Sequence, residues 1–182
     1  MSKRNSEKAR ILVWTSVVLA LVGAMALRAL VRRPEKASYR EPCFEHLKQT
    51  GLAVLMYATD CDDRLPPAKT WADSVLTYCR GVKSRFTCPD IPDLKPGQYG
   101  HAFRSSLSLR SYTTIPDPAS EPLLFDSTDL SWNAHGTLAL LPPDRHPRGL
   151  CAVAYADGHT RARSWDEFAE LSTRQRKKPT DK

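Results

Sequence analysis

The sequence predicts an α+β protein: an N-terminal transmembrane helix, then an amphipathic helix packed on a small antiparallel sheet. Three observations predict it. Residues 11–27 carry no charge, Leu47, Gly51, Val54 and Ala58 fall on one helical face, and the apolar run 151–156 leads into an Asp157-Gly158 turn signal. A long helix, a short helix and then strands, in that order, put the helices on one side of a sheet.

Residues 1–10 form a basic head with Lys3, Arg4, Lys8 and Arg10. The charge-free stretch that follows has 17 residues, 11 through 27, about 26 Å of helix and near the lower limit for a bilayer span. Leu30 and Val31 extend it to a segment 11–31 if Arg28 snorkels. A cleaved signal peptide is the alternative, because Ala24-Met25-Ala26 fits the small-x-small cleavage rule. Bases flank the segment on both sides, so the positive-inside rule does not orient it. The short head favours an inner-side N-terminus, with the remainder outside. Residues 32–42 are a juxtamembrane stretch interrupted by Pro34 and Pro42.

The second helix starts near Pro42, which suits a first turn. Its apolar face is flanked by Phe44, Leu52 and Leu55, and it ends in the acidic turn Asp60, Asp62, Asp63 before Pro66-Pro67. Trp71, Val75 and Tyr78 recur at helical spacing, with Thr70 as the N-cap. Residues 81–100 read as loop. Weak strand signals lie at 107–114, 123–125 and 138–141, and the clearest at 151–156, which returns at His159 through a two-residue type I′ turn. A terminal helix is expected at 165–171. The head domain thus runs from 43 to 173, and the basic tail 174–182 reads as disordered.

The net charge of +7 resembles a nucleic-acid footprint until it is located. Residues 1–40 hold nine basic and two acidic residues, a net +7, and the remainder holds eighteen of each. The head therefore offers no field to steer a polyanion, and no nucleic-acid partner is expected. The membrane is the expected partner of the N-terminus.

Five cysteines suit an oxidising compartment and leave one thiol over. Cys79 and Cys88 bracket a loop and are the expected disulfide. Cys43 and Cys61 sit at opposite ends of a continuous helix, too far apart to pair. No CxxC occurs, so the cysteines do not read as a zinc site. His146, Asp157 and His159 are a metal candidate of another kind, set against turn geometry and strand-end hydrogen bonds as the plainer explanation. Asp60, Asp62 and Asp63, or Asp126 and Asp129 with Ser127 and Asn133, are calcium candidates lacking a full ligand loop. No other cofactor is expected. No GxSxG or HExxH occurs, so the chain does not read as an enzyme.

Several segments in fixed order carry a family resemblance. They are Cys43 with LKQTGLAVLMYATDCDDRLPP after it (Leu47, Lys48, Gln49, Gly51, Leu52, Tyr57, Pro66, Pro67), then Trp71, then Phe86-Thr87-Cys88-Pro89. Tyr99-Gly100, LLFDS at 123–127 and AYADGH at 154–159, with Asp157-Gly158, complete the set. Over residues 43–163 the chain resembles type II secretion pseudopilins and, more closely, bacterial prepilin-like proteins with a C-terminal H-X9-DG motif. Here ten residues separate His146 from Asp157. The resemblance implies a pilin-like head on a single-pass bacterial inner-membrane anchor, with the head extracytoplasmic. It implies a non-enzymatic pseudopilin-like component of a type II secretion or type IV pilus-like system, with pilin-like or secretion-system subunits as partners. The alternative is a non-polymerising exported or tethered binding module with a pilin-derived head. The resemblance covers the head alone: the prepilin-peptidase motif is absent, and residues 11–27 hold no carboxylate.

Overall fold

The computed structural model describes residues 41–168, together with Trp14. Helix α1 (Glu41–Asp60) has Pro42 in its first turn, where a missing N–H costs no intrahelical bond. It buries Cys43, Leu47, Thr50, Gly51, Ala53, Val54 and Ala58, the stripe its periodicity predicts. Thr50 tolerates burial because its hydroxyl donates to the His46 carbonyl at 2.9 Å. Asp62 and Asp63, at φ 53° and 58°, turn the chain out of the helix. Helix α2 (Trp71–Val75) is also at its expected place, but Thr70 makes no side-chain cap. Asn133, distant in sequence, caps it instead: its Oδ1 accepts from the N–H groups of Ala72 at 2.8 Å and Asp73 at 3.2 Å.

Five strands form one sheet: β1 (His101–Arg104), β2 (Pro122–Asp126), β3 (His135–Gly136), β4 (Leu150–Tyr155) and β5 (Thr160–Ser164), in the order β3-β1-β2-β4-β5. Two expectations about the fold class are corrected. The sheet is mixed rather than antiparallel, because β3 pairs with β1 in parallel, Phe103 opposite His135. Secondly, among the described residues no helix is long and apolar enough to cross a membrane. The single-pass inner-membrane placement therefore has no support in the structure. Apart from Trp14, residues 11–31, where the span was expected, lie outside the described residues, as do the tail 174–182 and the end of the helix expected at 165–171.

Two of the weak strand signals are also corrected. Residues 107–114 form 3-10 turns at Ser105–Leu107 and Tyr112–Thr114, separated by Leu109 at φ 57°, a left-handed bend that no strand accommodates. Residues 138–141 form a 3-10 turn at Leu138–Leu140. The hairpin β4–β5 is where the sequence places it, but its turn differs. The Gly158 N–H bonds to the Tyr155 carbonyl at 2.9 Å, and Gly158 alone takes a positive φ, 89°. A type I′ turn needs positive φ at both central residues, so this is a three-residue loop with glycine at the left-handed position.

The sheet is covered on both faces. Leu47, Val54, Trp71, Phe86, Phe103, Leu124, Ala152 and Ala154 belong to the core beneath α1. Ala102, Phe125, Leu138, Cys151, Val153, Tyr155 and Phe168 form a second core on the opposite face. That is why β4 reads as an unbroken apolar run rather than an alternating one. Trp71 anchors the first core, with Phe86 and Phe103 at ring-centroid separations of 5.6 Å and 6.1 Å and its Nε1–H donating to the Ala134 carbonyl at 2.8 Å.

Candidate metal centre

Four buried side chains with metal-ligating atoms converge where α1 begins, on the edge of the first core. Cys43 comes from the first turn of α1, Cys88 from the loop after the 3-10 turn Lys83–Phe86, Asp126 from the end of β2, and His146 from the segment entering β4. Each is fixed by its own local structure. Gly100 keeps Cys88 close to the sheet: a Cβ at residue 100 would lie 3.0 Å from the Cys88 Cβ and 3.1 Å from its backbone nitrogen. His146 is clamped by a two-way backbone pairing with Leu150 at 2.9 Å and 3.3 Å.

The donor atoms all lie within 4.8 Å of one another. Cys43 Sγ is 2.9 Å from Cys88 Sγ, 3.5 Å from His146 Nε2 and 3.7 Å from Asp126 Oδ1. His146 Nε2 is 2.8 Å from Asp126 Oδ2, which also accepts from the Ala152 N–H at 2.6 Å. On the far side of the imidazole, Nδ1 meets Asp90 Oδ2 at 2.7 Å. His101 stands just behind, its Nε2 at 3.9 Å from Cys43 Sγ and 4.0 Å from Asp126 Oδ1. The buried Nδ1 of His101 has no hydrogen-bond partner among the described residues.

The electrostatics follow from burial and from these contacts. The hydrogen bond Cys43 donates to Cys88, then burial, then the Asp126 charge all raise the Cys43 thiol, which keeps its proton. Accepting that bond holds Cys88 down at about 6 against burial, with His146 adding to the effect. Burial opposes charge on His146, but its hydrogen bonds to Asp126 and Cys88 prevail and push it up to about 10. Burial pushes His101 down to about 4, leaving that ring neutral. A thiolate beside an imidazolium has the chemistry of a nucleophile. Cys43, Cys88 and Asp126 are fully buried and His146 is 3% exposed. The set can also hold a metal ion, with Cys43, Cys88, Asp126 and His146 as ligands.

Sequence reasoning named His146 and Asp126 as candidate ligands but assigned them to different groups. The other residues in those groups lie elsewhere. Asp157 and His159 pair with each other in the exposed β4–β5 turn, where His159 stacks on Tyr155 at 4.4 Å. Asp129 accepts from the Ser131 backbone and hydroxyl, Asn133 caps α2, and Asp60 accepts from the Tyr78 hydroxyl at 2.8 Å. Neither calcium grouping is gathered into a cage. The expected disulfide is corrected as well: Cys79 and Cys88 are free thiols, and the sulfur facing Cys88 is that of Cys43. Asp90 and His101 were not foreseen. Cys43 and Cys88 were singled out as motif residues, but pairs 45, 103 and 20 residues apart leave no spacing pattern to read. Compared with protein-family models, with curated proteins and with solved structures, the chain matches none.

Proposed function

We propose that this chain is a pseudopilin-like structural component, acting through its helix-on-sheet head in a type II secretion or type IV pilus-like assembly and catalysing no reaction. One observation carries the reading: the resemblance motifs, far apart in sequence, meet along one seam. A Cβ on Gly51 of α1 would stand 3.2 Å from the Ala154 Cβ, so helix and strand approach closely there. A Cβ on Gly158 would meet Leu52 at 3.2 Å and Leu55 at 3.4 Å. The helix motif and the Asp157-Gly158 motif are thus two sides of one packing interface, as a helix laid on its sheet requires. The sealed polar cluster supports a structural role, since chemistry on a substrate needs access.

Leu52 and Met56, one turn apart on α1, remain 42% and 55% exposed, and suit contact with a neighbouring subunit. A photocrosslinking residue replacing Met56, in the cells that make the protein, tests this. Adducts with pilin-like subunits, or between copies of the chain, are expected. Adducts confined to proteins without a pilin-like head would overturn the assembly reading. They would favour a non-polymerising binding module, the reading supported by the missing peptidase motif and the carboxylate-free stretch 11–27.

A further inference from the structure

We infer that Cys43, Cys88, Asp126 and His146 bind one divalent metal ion of the zinc type, as a closed structural centre that ties the start of α1 to the sheet. The inference does not depend on the pilin-like reading. The donor set selects the metal: two sulfurs, an imidazole and a carboxylate suit zinc, whereas calcium and magnesium require oxygen ligands.

The geometry fits that choice. Tetrahedral zinc bonds of about 2.0–2.3 Å put neighbouring ligand atoms roughly 3.3–3.8 Å apart. Cys43 Sγ to His146 Nε2, at 3.5 Å, and to Asp126 Oδ1, at 3.7 Å, already span such edges. The 2.9 Å between the sulfurs is short by less than about 1 Å, which small side-chain rotations supply, and with Oδ1 as the ligand Asp126 Oδ2 keeps its bond from the Ala152 N–H.

The surroundings are arranged as around a metal. Histidine ligands commonly donate their second ring N–H to a carboxylate, which sets the tautomer and aims the other nitrogen at the ion. Asp90 stands at His146 Nδ1 in that position, 2.7 Å away, and leaves Nε2 for the ion. His101 is buried, with one nitrogen unpartnered and the other directed at Cys43 Sγ and Asp126 Oδ1. An N–H at that second nitrogen supports a coordinated thiolate from the outer shell. With four protein ligands, all buried, no position is open to a substrate, which is the mark of a structural rather than a catalytic site. Two protons leave as the ion binds, one from the Cys43 thiol and one from the Cys88–His146 pair, so that both sulfurs coordinate as thiolates and His146 as the neutral ring.

The test is cobalt substitution in the full chain, purified with reductant and stripped of metal. Expected are one Co²⁺ per chain, a near-ultraviolet thiolate-to-cobalt charge-transfer band with strong tetrahedral visible bands, and displacement of both by Zn²⁺. Asp90→Asn should weaken Co²⁺ binding about 10- to 100-fold with the band shape kept. Cys61→Ser and Cys151→Ser should change neither. Cys88→Ser should remove a sulfur from the coordination. If that variant does not fold, X-ray absorption on the wild-type cobalt form decides, with two sulfur and two nitrogen or oxygen ligands expected. The inference is overturned by a reduced chain that gives no charge-transfer band, by oxygen-only octahedral cobalt, or by a band that survives intact in Cys88→Ser. A Cys43–Cys88 disulfide that persists in protein isolated with zinc in excess overturns it equally.

Discussion

Gly158 shows how much one position can carry. It is left-handed at φ 89° and lies under Leu52 and Leu55, where a Cβ would press at 3.2 Å and 3.4 Å. Gly158→Ala therefore meets a backbone penalty and a tight contact with the Leu52 methyl. The expected loss is roughly 1–3 kcal/mol, read as a lower urea midpoint at unchanged slope. A loss below about 0.5 kcal/mol would mean that the turn and the seam are not coupled. The sequence marked Asp157-Gly158 as a turn because Gly alone combines freely with this conformation. The turn's length and its contact with α1 were not legible, since both depend on which residue of β4 the return strand pairs with. His146 is the opposite case: its type suggested a ligand, but its company depended entirely on the fold.

Among the elements, α2 is too short to be stable alone and is held by groups outside it. Asp73 accepts from Asn133 Nδ2 and Trp132 Nε1, each at 2.7 Å, and the bonds from Asn133 and then Trp132 lower its pKa below the ordinary 3.8. Folding thus favours the carboxylate. The stabilisation is complete above pH 3.8 and disappears as pH falls through the lower folded value. Urea midpoints measured down through that range should fall more steeply for the wild type than for Asp73→Asn, which has no carboxylate there to protonate. Parallel curves would remove the clasp from the account. Local pattern located α1, α2 and the β4–β5 hairpin, because 3.6-residue and strand patterning survive in those segments. It misplaced the strands expected at 107–114 and 138–141, where left-handed Leu109 and a 3-10 turn override weak apolar signals.

For the whole head, the decisive feature is a sheet buried on both faces. Phe103 and Phe125, both fully buried, point into different cores. Phe125→Ala should cost about 3–5 kcal/mol, the range for truncating a core aromatic, and as much as Phe103→Ala does beneath α1. Equilibrium unfolding of both variants checks this. A much smaller loss for Phe125→Ala would make the second face a loose cover rather than a core.

By itself the sequence determined the helix-then-strand order, the buried stripe of α1, the left-handed glycine of the last hairpin and a head without net charge. Each is written in neighbouring residues, so period, turn chemistry and composition are enough to recover it. Only the tertiary structure decided that the sheet is mixed, that Asn133 caps α2, and that Cys43, Cys88, Asp126 and His146 share one buried site. Those outcomes join residues separated by tens of positions, and which distant groups meet is set by packing the two cores around a common sheet. No local pattern encodes that.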